Sequence, residues 1–559
     1  MSAALKTQAQ IRIALAAAVE AAAEKHGWDI HTIPNVELEV PREKAHGDFA
    51  TNLAMQLAGQ AKMAPRAVAE AVLQHLDAAG THIEHAEVAG PGFINLRLAN
   101  DWLHDVVKDI AQQGPDYGKS NFGDNKRVML EFVSANPVGP MNVVNARAAA
   151  VGDTLSNIMD AAGYDVSREY YVNDAGRQAH LFGLSLLARY KELAQVEYEF
   201  PEDGYPAPYV KELAQIMRQE APDLLEKPQQ EQEAFCKRWG TDRIVEQQKA
   251  DLAAFGVEFD VWFRERDLHA GQKLEKVIEY LKDQGLLYEQ DGATWFVSTK
   301  FDDDKDRVVV KSDGVPTYIT ADMAYHLDKY QRGFEHLINI WGPDHHGYIG
   351  RMQAAVQALG YKAGSLEIII LQLVNLLRRG ERVRMSKRAG EFVSMTELME
   401  EVGKDAARYF FLMRAPDSHL DFDLGLAAEE SQENPVYYIQ YAHARICSIL
   451  RQADSDSVQC PSIEDAALHL LQAEAELDLI KKLSELPGEI VSAAERRGPH
   501  HIARYAHELA SSFHSFYTHC RVLGEEEALQ GARLVLLKAV AQVLQNSLRL
   551  LGIAAPERM

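Results

Sequence analysis

The sequence predicts an α/β protein in which a doubly wound parallel sheet is followed by an all-α bundle. Two stretches each contain a strand, a Gly- or Pro-rich loop, a helix and a second strand, which is the order of a βαβ unit. After about Met395 the strand patterns fade, and apolar residues recur at helical spacing up to the C-terminus. A chain of 559 residues also exceeds the size of one hydrophobic core, so several domains are expected.

The N-terminal part of the chain, residues 1–100, alternates helical patterns with short β-like runs and predicts a separate α/β domain. The polar, Gly-rich stretch QQGPDYGKSNFGDNK that follows is typical of a linker. The first βαβ unit comes next. RVMLEFV (127–133) is a predicted strand, SANPVGPMN a loop, 144–162 a helix and YDVSREYYV a second strand.

The second βαβ unit begins at HLINIW (336–341), a predicted strand that leads through the loop GPDHHG into the helix YIGRMQAAVQALG. LEIIILQLV is then predicted to be a further buried strand. Between the two units, at about 180–310, lies a long insertion rich in charged helices. We therefore expect a central domain at 124–395 and a helical domain at 396–559.

The amino-acid composition indicates what type of protein this is. The apolar fraction of 47% and the charged fraction of 25% are those of a soluble globular protein. The net charge of −24 does not support RNA binding, although a local basic face could still bind RNA. The four cysteines lack CxxC spacing, so neither zinc nor a disulfide framework is expected. The sequence shows neither a signal peptide nor an apolar run long enough for a bilayer, and we expect a cytoplasmic protein without membrane contact.

A basic segment follows the last predicted strand of the sheet. RVRMSKRAG places cations at positions 382, 384, 387 and 388 around Met385 and Ser386. Ligands of doubly wound sheets bind beyond the carboxyl ends of the strands, so this segment suits a polyphosphate and could neutralise departing pyrophosphate. A solvated basic turn is the alternative for such a run taken alone.

Two other motifs do not predict a binding site. The stretch GPDYGKS has one residue too few between its glycines for a phosphate-binding loop, and it follows no strand. The triplet Asp344-His345-His346 has no further ligand at metal spacing, so no permanent metal site is expected.

RMSKR resembles the KMSKS signature of class I aminoacyl-tRNA synthetases. The stretch from GERVRMSKRAG to DFDLGLA is similar to arginyl-tRNA synthetases throughout. The same holds for EFVSANPVGP, YYVNDAGRQ, VKSDGVPTYITADMAYH, WGPDHHGYIGR, NPVYYIQYAHARICSIL, FHSFYTHCRVL and APERM. HGDFATNLA and PGFINLRL resemble the N-terminal domain of that family. Because the similarity runs in order from about Val36 to the last residue, the chain is identified as a member of the family.

The resemblance implies an enzyme that forms arginyl-AMP from L-arginine and ATP and then esterifies the terminal ribose of tRNA(Arg). It implies a Rossmann-type catalytic domain between an N-terminal α/β domain that contacts the tRNA elbow and a C-terminal all-α anticodon-binding bundle. ATP is expected with Mg²⁺, and the protein is expected to act as a monomer.

The first ATP motif of the family, HIGH, is altered in this chain. The matching positions are Asn142, Val143, Val144 and Asn145, so both imidazoles and the glycine are replaced. An asparagine donates a neutral hydrogen bond but cannot become a cation. Losing one such donor typically costs about 10²–10³ in rate, and overpacking by branched side chains could add about 1–3 kcal/mol. We expect adenylate formation to be slow, and the alternative is a catalytically impaired relative that binds tRNA or arginine without joining them.

The resemblance also assigns residues to roles. The catalytic residues are Asn142, Asn145, Arg384, Ser386 and Lys387. The ATP-binding residues are Gly139, Val144, Asp344, His345, Met385 and Lys387. The arginine-binding residues are Glu131 and Asn136 for the ammonium and carboxylate, and Tyr318, Asp322 and Glu265 for the guanidinium. A planar group with five donors requires fixed carboxylates, although Tyr318 and Asp322 could instead form a pair that fills a turn.

Candidates for tRNA binding occur at both ends of the chain. The N-terminal candidates are Gly47, Phe49 and Asn52, and the C-terminal candidates are Tyr437, Tyr438, Tyr441, His443 and Arg445. Aromatic side chains can stack on unpaired bases, but at helical spacing about half of such a set is expected to belong to the core.

Overall fold

The structure, a computed structural model, describes residues 2–41, 43–378, 380–383 and 393–559. Its N-terminal unit packs helices against a three-stranded antiparallel sheet of order β1-β3-β2. The helices are α1 (Ala3–His26), α2 (Leu53–Ala61), α3 (Pro65–Leu73) and α4 (Asp101–Gln113), and the strands are β1 (Phe49–Thr51), β2 (Ile83–Ala89) and β3 (Phe93–Leu98). Helix α1 begins where the side chain of Ser2 accepts from the Leu5 N–H, and it ends at Gly27 in the left-handed conformation.

The central unit contains eight strands and eight α-helices. The strands are β4 (Arg127–Glu131), β5 (Asp165–Val172), β6 (Val261–Arg264), β7 (Leu287–Gln290), β8 (Ala293–Phe296), β9 (Arg307–Val310), β10 (His336–Trp341) and β11 (Leu366–Ile370). The helices are α5 (Val143–Ala161), α6 (Arg177–Leu193), α7 (Pro208–Glu220), α8 (Gln229–Ala254), α9 (Glu265–Ala270), α10 (Lys273–Asp283), α11 (Tyr318–Gln331) and α12 (Ile349–Ala358).

Five of these strands form a parallel sheet of order β11-β10-β4-β5-β6. From β4 the chain builds outward to β5 and β6, and from β10 it builds in the opposite direction to β11. The strand order therefore reverses between β4 and β10, and a crevice at their carboxyl ends is where a doubly wound sheet binds its ligand. The predicted α/β class with a parallel sheet is confirmed.

The interval that the sequence suggested as a helical insertion contains more than helices. Strand β6 lies within it and completes the central sheet, while β7, β8 and β9 form a separate antiparallel sheet. Helices α6, α7 and α8 have a hydrophobic core of their own, which includes Phe182, Leu186 and Met217.

The stretch LEIIILQLV is not the single strand that its apolar pattern predicts. Its first part is β11, and its last residue opens β12 (Val374–Arg378), which belongs to another small sheet with β13 (Glu381–Arg382) and β14 (Leu420–Asp423). Helices α13 (Met395–Val402), α14 (Lys404–Leu412) and α15 (Leu424–Ala428) surround this sheet. The apolar run continues across the junction, so burial alone does not mark the point where the chain leaves the central sheet.

The C-terminal part is a helical bundle, as predicted. It consists of α16 (Pro435–Ser455), α17 (Glu474–Glu495), α18 (His500–His519) and α19 (Glu527–Leu550). Buried apolar residues of this bundle form one continuous core with those of α5 and of the N-terminal unit. Across the part of the chain that the structure describes, none of the helices has the length and apolar character needed to span a membrane.

Helix α5 lies against β4 and is buried along most of its length. Gly152 allows the helix to approach the strand closely, because a Cβ at that position would overlap the ring of Phe132. The start of α5 is thereby fixed beside the carboxyl end of β4, at the edge of the crevice.

Candidate active site

The chain turns sharply where β4 ends. The peptide N–H of Ser134 donates to the carbonyl of Phe132 at 2.9 Å, and Val133 between them has a φ of 67°. A β-branched residue in this region of φ is strained, and such strain concentrates at functional sites. The turn points the Ser134 hydroxyl at Glu131 Oε1, 3.1 Å away, so the last residue of the strand is held at the mouth of the crevice.

A cavity of about 740 Å³ opens at the carboxyl ends of β4 and β10. It is lined by the ends of these strands, by residues of α11 and by the 3-10 helix Pro343–Tyr348. Five predicted ligand residues lie on its wall: Glu131, Asn136, Tyr318, Asp322 and His345. The reversal of strand order between β4 and β10 places all five beside one opening.

Asp322 is the most perturbed carboxylate on this wall. Burial raises its pKa to about 6, and the charges of Glu131 and Glu265 act in the same direction. The hydroxyl of Tyr348 donates to Asp322 Oδ2 at 2.5 Å and, like His345, opposes the rise in pKa. A bound cation would offset the burial of this carboxylate, so the site favours a positively charged ligand.

Glu265, the first residue of α9, is a second buried carboxylate close enough to influence the pKa of Asp322. Burial, and next the charge of Asp174, raise the pKa of Glu265. Its Oε2 atom has no hydrogen-bond partner among the described residues. A buried acceptor left without a donor normally costs about 1–3 kcal/mol, and a guanidinium could satisfy it.

Glu131 is positioned by a buried polar network. The ammonium group of Lys329, which is fully buried, donates to Glu131 Oε2 at 2.6 Å and to Asn339 Oδ1 at 3.3 Å. The amide of Asn339 lies 2.9 Å from His326 Nε2, and His326 Nδ1 lies 2.8 Å from the carbonyl of Asp322. Because that carbonyl can only accept, Nδ1 carries the ring proton and Nε2 accepts from Asn339.

Tyr318 lies at the start of α11, one turn before Asp322, and is 70% exposed at the cavity. The two residues therefore share a helix face and do not fill a turn. Asn136 also lines the cavity, and its amide donates to Gln178 Oε1 at 2.8 Å.

The altered HIGH segment forms the start of α5. Asn142 Oδ1 accepts from the N–H groups of Val144 and Asn145 at 3.0 and 3.2 Å, and Asn145 Oδ1 accepts from the N–H of Asn142 at 3.1 Å. This reciprocal pair is a capping box. It uses both side-chain oxygens, and it occupies two of the N–H groups that a helix start can offer to an anion.

Val144 does not fill the cavity: its side chain is half-buried and packs against the main core. The start of α5 is also tied to the start of α13, since the N–H of Met395 donates to the carbonyl of Met141 at 2.9 Å. The four predicted residues of the basic segment, Arg384, Met385, Ser386 and Lys387, lie outside the described residues.

Besides Val144, the predicted ATP-binding residues Gly139 and Asp344 do not line the cavity. Gly139 packs against Tyr209 of α7, whose hydroxyl donates to the carbonyl of Val138 at 2.5 Å. Asp344 points outward, with its side chain 81% exposed, beside His345. The aromatic ring of Trp341 lies 5.9 Å from that of His345 and gives this part of the wall a flat apolar surface.

Tyr348 and Lys329 are site residues that sequence reasoning missed. Tyr348 follows the GPDHHG loop inside a quoted family segment, but a lone tyrosine there carries no charge signal. Lys329 lies in a helix of mixed polarity, where a lysine is normally solvated. Its partner, Glu131, is 198 positions away in the sequence, so no local pattern predicts the pair.

In the N-terminal unit, the structure corrects the role of Phe49, which is 6% exposed and packs near Trp102 in the core. Gly47 has a φ of 90° and lies directly against β3, where a Cβ would collide with the backbone of Leu96. Asn52 precedes α2 and accepts from the amide of Gln56.

The C-terminal candidates divide by orientation. Tyr437 and Tyr441 stack on one face of α16 with ring centroids 6.4 Å apart, and Arg445 on the same face donates to the hydroxyl of Tyr517 at 2.6 Å. Tyr438 instead packs between His507 and His514 of α18. His443 is buried, with Nδ1 2.9 Å from the carbonyl of Pro556.

Within the described ranges, no three His, Cys, Asp or Glu side chains group as metal ligands. The four cysteines are free thiols.

Three family models match the chain in succession. They are an arginyl tRNA synthetase N terminal domain over residues 9–98, a class I (R) tRNA synthetase catalytic domain over residues 106–414, and a DALR anticodon binding domain over residues 439–559.

The chain is 50% identical to the arginine–tRNA ligase of Desulforamulus reducens over 547 residues, which are 98% of each chain. It is 50% identical to that of Geobacillus kaustophilus over 555 residues, covering 99% of this chain and 97% of the relative. The solved structure of Thermus thermophilus arginyl-tRNA synthetase has the same fold, with a TM-score of 0.75, 23% identity, and coverage of 98% of this chain and 100% of that one.

Proposed function

The chain belongs to the arginyl-tRNA synthetase family, and from this premise we propose that it joins L-arginine to tRNA(Arg) at the expense of ATP. One observation carries the proposal: Glu131 and Asp322 line a single cavity at the point where the strand order of the sheet reverses, and the buried carboxylate of Glu265 lies close enough to raise the pKa of Asp322. Such a site suits a ligand with two cationic ends.

We assign the guanidinium of arginine to Asp322 and Glu265. A guanidinium is planar and always charged, and it donates up to five hydrogen bonds in fixed directions. Burial raises the pKa of Asp322, and the Oε2 atom of Glu265 has no hydrogen-bond partner among the described residues, so a guanidinium would stabilise the ionised form of the first and satisfy the second. Tyr318 covers the same helix face as Asp322 and can pack on the planar group.

The other end of arginine is assigned to Glu131 and Asn136. Both oxygens of Glu131 already accept hydrogen bonds, but a carboxylate offers about four acceptor positions, so an ammonium can still bind. The substrate carboxylate is then held near the start of α5.

In the proposed reaction the carboxylate oxygen of arginine attacks the α-phosphorus of ATP, and pyrophosphate leaves to give arginyl-AMP. A hydroxyl of the terminal ribose of tRNA(Arg) then attacks the arginyl carbonyl, and AMP leaves. Mg²⁺ enters with ATP as part of the substrate.

Residues around the start of α5 are assigned to ATP. Asn142 and Asn145 use their oxygens in the capping box, and their amide groups remain available as neutral donors to a phosphate. Gly139, Val144, Asp344 and His345 are proposed to surround the nucleotide, of which His345 lies on the cavity wall. The catalytic roles of Arg384, Ser386 and Lys387, and the ATP contact of Met385, remain proposals.

We propose that tRNA binds through the partly exposed face of α16 that carries Tyr437, Tyr441 and Arg445, and through Asn52 of the N-terminal unit. Stacking of an unpaired base on an aromatic ring contributes about 1–3 kcal/mol. We further propose that the protein acts as a monomer in the cytoplasm.

The test is arginine attachment to tRNA(Arg) by the purified protein, with L-citrulline, the neutral analogue of similar length, as the competing amino acid. We expect arginine to be attached and citrulline to be rejected, because a site built for charged hydrogen bonds discriminates by about 10⁴–10⁵ against a ligand without them. Asp322→Asn should raise the KM for arginine more than it lowers kcat. Equal use of both amino acids would overturn the assignment of the pocket.

The alternative, a relative that binds arginine or tRNA without joining them, rests only on the changes at Asn142, Val144 and Asn145. Nothing in the comparisons favours it, since relatives about 50% identical over nearly the whole chain are arginine–tRNA ligases. A pure protein that binds arginine but attaches none to tRNA would support the alternative.

A further inference from the structure

Three buried polar residues lie side by side on neighbouring strands of the central sheet, and they are called here the polar row. Asn339 of β10 pairs in register with Glu131 of β4, and Glu131 pairs in register with Glu169 of β5. Directly paired residues of parallel strands point to the same face of a sheet. Because buried polar groups need hydrogen-bond partners, the element that covers this face has to supply them.

Helix α11 supplies the partners of two members of the row. The ammonium group of Lys329 donates to Glu131 Oε2 at 2.6 Å and to Asn339 Oδ1 at 3.3 Å. The amide of Asn339 donates in turn to His326 Nε2 at 2.9 Å. Asn339 therefore uses both its acceptor and its donor on one helix, and these two bonds fix the position of α11 along β10.

The same helix binds the third member of the row. The hydroxyl of Tyr325 donates to Glu169 Oε1 at 2.6 Å. Arg332, which caps the C-terminus of α11, donates to both oxygens of Glu169 at 2.6 and 3.1 Å. Lys329 and Arg332 also neutralise the two carboxylates of the row. One helix is thus bonded to three adjacent strands.

These bonds prevent α11 from sliding along the sheet. A shift by one residue along the helix axis is about 1.5 Å, whereas the N to O distances of hydrogen bonds span only about 2.7–3.2 Å. Such a shift would therefore break several of the bonds at once. Each buried group that lost its partner would destabilise the shifted arrangement.

The position of α11 also decides the length of the arginine pocket. Asp322, assigned above to the guanidinium, lies on this helix one turn before His326, and His326 Nδ1 donates to the Asp322 carbonyl at 2.8 Å. Glu131, assigned above to the ammonium, is itself a member of the polar row. The separation between the two carboxylates therefore depends on where the row holds the helix.

We propose that the polar row selects arginine by its length, with Asn339 and His326 as positioning residues that act through the placement of α11. The proposal rests on the proposed function, since it uses the assignment of the two ends of arginine. While the helix is held in place, an amino acid with one methylene more or one fewer cannot reach both carboxylates. When the bonds of Asn339 are lost, the helix can shift and the pocket accepts such homologues.

The test compares L-arginine with L-homoarginine and L-norarginine, which have one methylene more and one fewer, in attachment to tRNA(Arg). In the wild-type protein, kcat/KM for arginine should exceed that for each homologue by about 100-fold, in the upper part of the range for one methylene. Asn339→Leu has a similar size and makes no hydrogen bonds. It should reduce the ratio for one or both homologues to below about tenfold, and the change should lie mainly in the KM values.

Two variants of His326 give a second measurement that does not depend on the folding of Asn339→Leu. His326→Gln keeps an acceptor for the amide of Asn339, whereas His326→Leu has none. We expect His326→Leu to lose discrimination to the same extent as Asn339→Leu, and His326→Gln to stay within about threefold of the wild-type ratios. A role in stability alone would not separate the variants by their preference for chain length.

Asn546→Leu is the matched control. Asn546 of α19 is buried, as Asn339 is, and its amide donates to the carbonyls of Gly114 and Tyr117 at 3.0 and 3.1 Å. These residues do not line the arginine cavity. The control variant loses a comparable set of buried bonds, so it should be destabilised and still retain the wild-type ratios.

Wild-type ratios in both Asn339→Leu and His326→Leu would overturn the proposal, as would a wild-type protein that uses the homologues as well as arginine. An equal loss of discrimination in Asn546→Leu or in His326→Gln would also overturn it, since general loosening of the fold would then explain the result. A wild-type protein that attaches no arginine at all would instead overturn the proposed function.

Discussion

Removing the hydroxyl of Tyr348 should shift the pH dependence of arginine use. In the structure this hydroxyl donates to Asp322 Oδ2 at 2.5 Å and stabilises the ionised carboxylate, which burial and the charges of Glu131 and Glu265 otherwise disfavour. The Tyr348→Phe variant keeps the ring and loses only this bond. The pKa of Asp322 should therefore rise further.

The magnitude follows from the strength of the lost bond. A hydrogen bond to a charged group contributes about 1.5–3 kcal/mol, and 1.36 kcal/mol corresponds to one pKa unit, so the pKa of Asp322 should rise by about one to two units. In the wild-type protein that pKa is about 6. Because the ionised form binds the guanidinium, kcat/KM for arginine should fall below pH 6 in the wild type and already below about pH 7–8 in the variant.

The assay is kcat/KM for arginine in tRNA attachment between pH 5 and 9, with ATP and tRNA saturating. Tyr288→Phe is the control, since Tyr288 donates a comparable bond to Asp306 Oδ2 at 3.2 Å outside the cavity. Its acid limb should coincide with that of the wild type. An unmoved acid limb in Tyr348→Phe, or an equal movement in Tyr288→Phe, would refute the reasoning.

Three further changes test the packing and the altered ATP motif. Lys329→Met leaves the buried carboxylate of Glu131 without its cationic partner and should lower the free energy of unfolding, measured in urea, by about 3–5 kcal/mol. Adding Glu131→Gln should restore part of the loss. Gly152→Ala should lower the same quantity by about 1–3 kcal/mol through overlap with the ring behind it, whereas Gly488→Ala, in open space within α17, should raise it by up to about 1 kcal/mol. A loss in both glycine variants would contradict the packing argument. Asn142→His with Val144→Gly should raise the rate of ATP–pyrophosphate exchange by about 10²–10³, and an unchanged rate would mean that adenylate formation is not slow in the natural chain.

Much of the central sheet could be predicted, because its strands carry a local pattern. HLINIW matches β10 residue for residue, and RVMLEFV overlaps β4. Strand β6 was missed, since a strand of four residues within a charged region gives no detectable periodicity. Strand β14 does alternate apolar and acidic residues, but four residues are too few to distinguish a strand from a turn.

Site residues were likewise predictable only where the sequence itself carries a chemical signal. Glu131 and Asp322 carry a charge that matches the chemistry of arginine, and the topology brings both to the cavity. Lys329 and Tyr348 act through partners that are distant in sequence, and no local pattern reveals such pairs. Phe49 differs from these residues, because its ring is buried beside Trp102, and a family motif does not reveal which of its residues belong to the core.

The altered HIGH segment had a second explanation that the sequence already contained. Asparagine is among the best residues for starting a helix, and a partner three positions later can complete a capping box. Asn142 and Asn145 have this spacing, and the structure shows the box. Comparison with the family motif shows that two imidazoles are lost, whereas the structure shows that the two asparagines stabilise the start of helix α5.

The neutral imidazole of His326 has a consequence for how the cavity responds to its surroundings. Burial, and next the charge of Lys329, lower the pKa of His326 to about 3. The imidazole of His326 is therefore neutral at any physiological pH, and its hydrogen bonds to Asn339 and to the carbonyl of Asp322 do not change with pH in that range. Acidification of the medium acts instead at the guanidinium end, where burial raises the pKa of both Asp322 and Glu265. Because the charge of Glu131 also raises the pKa of Asp322, an ammonium bound at Glu131 makes ionisation of Asp322, and with it the grip on the guanidinium, easier.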